Sequence, residues 1–342
     1  MAKKIILVIF ILAAAGLGFG WQKFNRPADP NGADQAFTIK EGEGVHQISQ
    51  NLLGQKLIKS KFDFETYIWL KKWGSKFKAG DHRLSPKLNI REIANTLVKG
   101  TTISRETDIR IIEGWNLKEI GKYLIKNGLA AETGFEEFAA KKAGYWASGP
   151  AEKLLFLKDV PSEAGLEGYL FPDTYRIFKD SGLEDIAVKM LSNFEKKLTP
   201  EMRAEIKSQG KTLPQIITMA SLIEKEVRTP EDMKIVSGIF WDRIKIGQPL
   251  QSCATLAYIL GVNKDQYSQA DTQIDSPYNT YRNKGLPPGP IANPGLNAIK
   301  AAIYPTATDY NYFLTAEVNG EDKVIYSKTF DEHVRNKGIY LK

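Results

Sequence analysis

The sequence repeats itself. Aligning the chain with itself at an offset of 72 residues places Glu41-Gly42 over Glu113-Gly114. The apolar residues that follow keep a helical spacing in both copies, with Val45, Ile48, Leu52 and Leu57 aligned to Leu117, Ile120, Leu124 and Leu129. Each copy predicts a strand, a glycine turn and an amphipathic helix, and residues 90–100 predict a partial third copy. The repeat limits the N-terminal half to small α+β units.

The repeated pattern of strand, x-E-G-x and I-x-x-x-L helix resembles the LysM glycan-binding module. This resemblance implies a LysM-like α+β subdomain over residues 36–105 that binds glycan. The alternative is a packing platform that only positions the rest of the chain.

Residues 212–227 (TLPQIITMASLIEKEV) predict a helix that carries an acid on its apolar side. At about 100° per residue, Glu224 lies about 20° from Leu213, within the apolar face, whereas Glu226 lies near 220° and is predicted to be solvated. Burial disfavours the carboxylate and keeps the acid protonated near neutral pH, so Glu224 is predicted to be a general acid. The alternative is an ion pair with Arg228 at the edge of the apolar face.

The N-terminus predicts a membrane anchor. Lys3 and Lys4 precede residues 5–21, which carry no charge and would form a helix about 25 Å long. Residues 1–22 are therefore expected to be a cytoplasmic tip and a transmembrane helix in contact with membrane lipid, with the N-terminus cytoplasmic and the rest exported. A cleaved signal peptide is the alternative. Residues 23–35 have the composition of a linker.

Composition and motifs exclude several classes of function. A single cysteine, Cys253, allows no internal disulfide, and it is expected to be a small buried residue. The three histidines are scattered and form no metal-binding motif, so neither a metal nor a cofactor is predicted. The net charge of +7 suits anionic lipid or an acidic polymer, but no nucleic-acid motif is present, and no nucleic-acid partner is expected.

The C-terminal half contains a series of ordered motifs. Residues 166–176 read LEGYLFPDTYR, residues 220–227 read ASLIEKEV, and residues 276–295 read SPYNTYRNKGLPPGPIANPG. In this order they closely resemble the YceG-like family, the MltG endolytic murein transglycosylases, over nearly the whole chain. The resemblance implies an α+β fold with a larger YceG-type catalytic domain over residues 106–342.

The resemblance also implies the site residues. The catalytic glutamate of the family corresponds to the first Glu of E-K-E, which is Glu224, the residue that the helical periodicity also selects. Family members often have Asp where this chain has Cys253, so no catalytic carboxylate is expected there. Glu332 and His333 are expected either to orient the site or to complete a local turn. The expected substrate-binding residues are Gln251, Ser252, Tyr278, Asn279, Thr280, Tyr281, Asn293, Glu167 and Tyr169.

The implied reaction is cleavage of the MurNAc-β-1,4-GlcNAc bond within peptidoglycan strands, without hydrolysis, to leave 1,6-anhydro ends. The implied partners are peptidoglycan strands and, on the synthetic side, peptidoglycan synthases. Two alternatives stay open: a hydrolase that uses water on the same polymer, and a non-catalytic glycan-binding scaffold. Glu224 is expected to be the only carboxylate whose removal eliminates the chemical step.

Overall fold

A computed structural model describes residues 24–100, 106–179, 181–264 and 266–341. The chain divides into two compact units, Met1–Arg105 and Glu106–Lys342. Each unit has its own hydrophobic core, and each contains both helices and strands. The predicted mixed α+β class is therefore confirmed.

Within its described residues, 24–100, the first unit contains two strands and three helices. In chain order these are β1 (Gln35–Ile39), α1 (Val45–Gly54), α2 (Lys61–Lys71), β2 (Gly80–Leu84) and α3 (Ile90–Lys99). β1 and β2 pair antiparallel, and the three helices contribute fully buried apolar residues such as Ile48, Phe64 and Ile93 to the core of the unit.

The second unit begins with the same order of elements, with one further helix and a 3-10 turn inserted before its second strand. They are β3 (Glu106–Arg110), α4 (Leu117–Lys126), α5 (Glu132–Ala140), α6 (Ala143–Ala147), a 3-10 turn (Leu155–Asp159), β4 (Thr174–Phe178) and α7 (Leu183–Lys197). β3 pairs antiparallel with β4. The helices α1 and α4 lie at the predicted offset of 72 residues, which confirms the repeat. The helix expected at residues 90–100 is confirmed as α3, which buries Ile90, Ile93, Ala94 and Leu97. In chain order α3 is the last helix of the first copy and corresponds to α7.

The remainder of the second unit surrounds one buried helix. The elements are α8 (Pro200–Ser208), α9 (Leu213–Glu226), α10 (Pro230–Lys245), α11 (Cys253–Leu260), a 3-10 turn (Asp271–Gln273), α12 (Leu296–Ile303), the hairpin β5 (Tyr312–Val318) and β6 (Glu321–Ser327), and α13 (Phe330–Tyr340). The predicted helix is confirmed as α9: Thr212 caps its start through a reciprocal pair with Gln215, and Pro214 lies in the first turn. Residues 216–223 of α9 are all buried, because α12, α10 and α11 pack around it.

Residues 24–34 are not a free linker, because they pack on the first unit. The ring of Phe24 lies 5.4 Å from the ring of Tyr67. The Asn25 side chain accepts a hydrogen bond from Arg91. The predicted anchor at residues 1–22 lies outside the described residues, and within the described ranges no helix is both long and apolar enough to cross a membrane.

Candidate active site

Glu224 lies in the last turn of α9 and is partly buried. Its Oε2 accepts a hydrogen bond from the backbone N–H of Gly295 at 2.9 Å. Burial raises the pKa of Glu224 to about 7, although the hydrogen bond from this N–H lowers it. Arg228, the alternative ion-pair partner, contacts Asp322 at 3.5 Å instead. Glu224 therefore has the environment expected of a group that can both donate and accept a proton near neutral pH.

The glycine turn of the second repeat packs against Glu224. Gly114 adopts a φ of +79°, and a Cβ added there would lie 3.4 Å from Cγ of Glu224. Lys225 donates a hydrogen bond from Nζ to the Gly114 carbonyl at 3.2 Å. The Gly114 N–H donates to the Asn293 carbonyl at 2.9 Å. The turn is thus held on both sides of the acid.

A second carboxylate, Glu113, lies beside Glu224. A Cβ built on Gly295 would lie 1.9 Å from Oε1 of Glu113, so the Glu113 side chain occupies the space that the missing side chain leaves. The same Gly295 holds Glu224 through its N–H. The negative charge of Glu113 raises the pKa of Glu224 further. The expectation of a single carboxylate at the site does not include Glu113, although the repeat aligns Glu113 with Glu41.

Asn293 joins the three segments that form the site. Its Nδ2 donates to the Trp115 carbonyl at 2.9 Å and to Oε1 of Glu167 at 3.2 Å, and its Oδ1 accepts from the Leu170 N–H at 2.9 Å. The Asn293 side chain is 1% exposed. It therefore connects the glycine turn, the EGYLFPDTY segment and the NPG segment from the inside.

Glu167 lies at the N-terminus of α4. Both of its carboxylate oxygens accept from the Leu117 N–H, each at 3.1 Å. Burial raises the pKa of Glu167 to about 8, and the donors Leu117, Gly168 and Asn293 oppose this effect. The position suits an acid structurally, because a helix N-terminus offers free N–H groups.

Glu226 is not solvated, which corrects the expectation from the helical wheel. The Ser252 hydroxyl donates a hydrogen bond to its Oε1, and the positive charge of Arg243 acts on it. Burial raises the pKa of Glu226, and the Ser252 and Ala254 donors and Arg243 oppose this effect. This network lies on the side of α9 that α11 covers, so it supports the fold beneath the site.

A cleft of about 530 Å³ opens beside the glycine turn. Lys225 and Glu167 line it together with two tyrosines, Tyr258 and Tyr278, whose ring centroids are 5.1 Å apart. The remaining lining residues come mainly from the start of α4 and the end of α11. Adjacent aromatic faces, charges and short polar groups are typical of a carbohydrate site. Tyr258 was not predicted, because nothing in its sequence context marks it.

The structure places the predicted substrate-binding residues in two groups. Tyr278 and Glu167 line the cleft, Gln251 is exposed, and Tyr281 is partly buried with its hydroxyl 3.1 Å from Sγ of Cys253. Five other side chains are at most 2% exposed, which argues against direct contact with a substrate: Tyr169, Ser252, Asn279, Thr280 and Asn293.

The buried group holds the loops of the site together. Asn279 donates from Nδ2 to the carbonyls of Thr272 and Ile274, at 3.1 and 2.8 Å. Thr280 accepts at Oγ1 from the Ser252 N–H at 3.0 Å. Tyr169 stacks on Phe156 within the core.

Three further expectations concern the second unit. Cys253 is exposed, so the expectation of a buried cysteine is wrong. Glu332 accepts from the Lys328 N–H at 2.7 Å, and the ring of His333 stacks on Tyr312, so both have local roles at the start of α13. Within the described residues, no group of three or more His, Cys, Asp or Glu side chains could hold a metal ion.

Comparisons with known proteins agree on one family. The sequence profile of the YceG-like family matches residues 37–338. A Bacillus subtilis protein named endolytic murein transglycosylase is 34% identical over 310 residues, which is 89% of this chain and 84% of that protein. A Streptococcus pneumoniae protein of the same name is 33% identical over 96% of this chain, which spans only 63% of that longer relative. The 2.6 Å crystal structure of a putative yceG-like protein from Listeria monocytogenes is 30% identical, with a TM-score of 0.58 over 88% of this chain and 98% of that one.

Proposed function

The chain belongs to the YceG-like family, and from this we propose that it is an endolytic peptidoglycan lytic transglycosylase, a lyase. It would cleave the MurNAc-β-1,4-GlcNAc bond within glycan strands and leave 1,6-anhydroMurNAc ends. The observation that carries this proposal is Glu224, a desolvated acid that is held by the Gly295 N–H and is adjacent in α9 to Lys225, which lines the cleft.

The proposed mechanism uses Glu224 twice. In its protonated form it donates a proton to the leaving glycosidic oxygen. As a carboxylate it then takes the proton of the muramyl 6-hydroxyl, which attacks the anomeric carbon. A pKa of about 7 suits both steps, because neither protonation state is then strongly favoured at neutral pH. The nucleophile belongs to the substrate, so proximity replaces a second protein nucleophile.

The cleft residues have roles that fit a glycan strand. The paired rings of Tyr258 and Tyr278 offer apolar faces to sugar rings, and the ammonium group of Lys225 offers a partner for the acidic groups of muramyl peptides. Gln251 and Tyr281 stay candidates for substrate contact. The buried members of the predicted set would act by fixing the loops that carry these groups.

The wider setting of the enzyme is also a proposal. Residues 1–22 would anchor the chain in the cell membrane with a cytoplasmic N-terminus, and the folded units would act outside the cytoplasm on the cell wall. The first unit would bind glycan as a LysM-like module. Peptidoglycan synthases are the protein partners that this role in wall synthesis implies.

One observation favours a second candidate, a peptidoglycan hydrolase. Glu113 provides a second carboxylate beside Glu224. Ordinary glycosidases use such a pair, with the second group either acting as the nucleophile or activating water.

The products of digestion distinguish these functions. A chain beginning at residue 24 is incubated with purified peptidoglycan, and the released fragments are weighed by mass spectrometry. We expect 1,6-anhydro ends, which are lighter than reducing ends by one water. Glu224→Gln should lower the rate by roughly 10²- to 10⁴-fold while the thermal unfolding of the chain stays unchanged. Reducing ends would establish the hydrolase, and binding without any cleavage would establish a scaffold.

A further inference from the structure

Glu113 has no role in the mechanism above, yet Glu113 and the general acid Glu224 both contact Gly295. The N–H of Gly295 donates to Oε2 of Glu224 at 2.9 Å. The Glu113 side chain lies against the other side of the same glycine, where an added Cβ would be 1.9 Å from its Oε1. Glu113 is exposed and belongs to the glycine turn of the repeat, so its charge is not required for the core.

The other charges near Glu224 are already accounted for. Lys225, on the same helix, lowers the pKa of Glu224, but its Nζ donates to the Gly114 carbonyl. Glu226 is held by Ser252 on another side of α9, and Glu167 is held by Leu117 and Asn293. The NPG segment that faces Glu224 from the start of α12 contributes a backbone N–H and no ionisable side chain. Glu113 is therefore the negative charge that acts on the acid from the facing turn.

We propose that Glu113 is a positioning residue for Glu224. Its side chain packs on Gly295 and fixes the N–H that orients the Glu224 carboxyl, and its negative charge favours the protonated form of that carboxyl. Glu113 neither attacks the substrate nor activates water. The proposal rests on the proposed function for its role in turnover, but the effect on protonation can be measured without turnover.

The repeat supplies a matched control. Glu41 occupies the position of Glu113 in the first copy and is likewise exposed. Among the described residues, no atom lies within 4 Å of a Cβ built on the adjacent Gly42, whereas Gly114 contacts Glu224 and Lys225. Glu41→Gln removes the same charge from the same type of turn without touching the acid.

The test compares the chain with its Glu113→Gln and Glu41→Gln variants. Glycan cleavage is measured against pH, and the carboxyl of Glu224 is titrated by ¹³C NMR with labelled glutamate, assigned through Glu224→Gln. In the parent chain the rate should fall as pH rises through about 7, because the general acid loses its proton. Glu113→Gln should move the midpoint of this fall in rate, and the midpoint of the NMR titration, to a pH lower by roughly 0.5 to 1 unit. The rate at pH 8 should then fall roughly three- to tenfold, while the rate at a pH well below this midpoint and the anhydro product stay unchanged.

Gly295→Ala provides a second variant that leaves both acids in the chain. The added methyl group would occupy the position of the Glu113 carboxyl, and this exposed side chain can move away into solvent. The backbone N–H of residue 295, which donates a hydrogen bond to Glu224, is retained. We expect a downward shift of the NMR titration similar to that of Glu113→Gln, and none in Glu41→Gln.

Two results would overturn the proposal. An unshifted titration of Glu224 in Glu113→Gln would show that Glu113 does not act through the acid. Loss of cleavage at every pH, with Glu224 titrating as before, would make Glu113 a catalytic residue instead. If the parent chain releases reducing ends, or cleaves nothing, the proposed function fails, but the NMR titration still decides whether Glu113 controls the protonation of Glu224.

Discussion

The two copies of the repeated module have similar glycine turns and following helices but differ in what these turns contact. Gly42 and Gly114 have φ values of +81° and +79°, and each turn leads into a helix of ten residues. The turn of the first copy has open space beside Gly42, whereas the turn of the second copy packs on Glu224. The shared sequence pattern therefore determines the local fold. The turn of the second copy becomes part of the site because it packs against α9, which carries Glu224.

The starts of the two equivalent helices differ in the same way. α4 begins with a capping box between Asn116 and Glu119, and the Glu167 carboxylate also accepts from its first N–H. The N-cap residue of α1 is Gly44, which provides no side-chain cap. The second copy is thus fixed at the point where it carries the site, and the first copy lacks these constraints.

The largest expected effect is that of Asn293→Ala, which removes the support of the glycine turn in the second copy. This change removes the donors and acceptor that hold Trp115, Glu167 and Leu170, and it leaves buried polar groups without partners. We expect the free energy of unfolding to fall by about 3 kcal/mol and cleavage to become undetectable, because the glycine turn loses its support. Denaturant unfolding and product analysis measure the two effects.

The matched variant in the first copy is Asn51→Ala. Asn51 also supports its turn, by donating to Oε1 of Glu43 at 2.6 Å, but it is only partly buried. Its loss should cost no more than about 1 kcal/mol, since water can replace the bond. Equal costs at the two asparagines would contradict the view that the second turn is held more firmly.

A medium effect is expected at Glu167, in the pH dependence of stability. Its pKa is raised in the folded chain from 4.5 to about 8, so between these values the unfolded chain releases a proton that the folded chain keeps. This contribution to stability is complete below pH 4.5 and is lost as pH rises towards 8. Glu167→Gln should therefore flatten the fall of the melting temperature across this interval, while anhydro products persist at a reduced rate.

Glu65 in the first copy is the control for this slope. A hydrogen bond from Ser49 lowers the pKa of Glu65, so its contribution is present above the unfolded pKa and is lost only as pH falls. In a chain that also carries His46→Ala, which removes the histidine 3.1 Å from Glu65, Glu65→Gln should lower the melting temperature by a similar amount at every pH from 5 to 8. A flattened slope in this variant, or an unchanged slope in Glu167→Gln, would disprove the assignment.

The sequence predicted what short-range periodicity controls. It located the repeat, the helix α9 and the acid on its apolar face. It misplaced Glu226, because a helical wheel assumes one solvated face, and α9 is covered on several sides. It also treated Asn279, Thr280 and Asn293 as cleft residues, since polar side chains in a loop motif are usually accessible. Their burial depends on backbone partners that chain folding supplies and that local sequence does not reveal.

The role of Glu113 could not be predicted for a related reason. Its contact with Gly295 joins positions 182 residues apart, whereas the identical Glu-Gly pair at Glu41 makes no such contact with any other residue that the structure describes. A local motif thus specified the turn, whereas its function depends on long-range packing.

The smallest effect concerns the uncapped start of α1 and tests the comparison from the opposite direction. Gly44 has φ −81° and ψ 162°, a conformation open to any residue, and a Cβ added there would meet no described atom within 4 Å. Gly44→Ser should therefore introduce a cap for the N–H of Gln47, which lies at the position that completes a capping box. The cap and the reduced freedom of the unfolded backbone should together add about 1 kcal/mol, measured as slower hydrogen exchange of the α1 amides. Gly44→Ala reduces the backbone freedom without supplying an acceptor, so it should fall short of Gly44→Ser. If both variants slowed exchange equally, the missing side-chain cap would not explain why the first copy is the less constrained of the two.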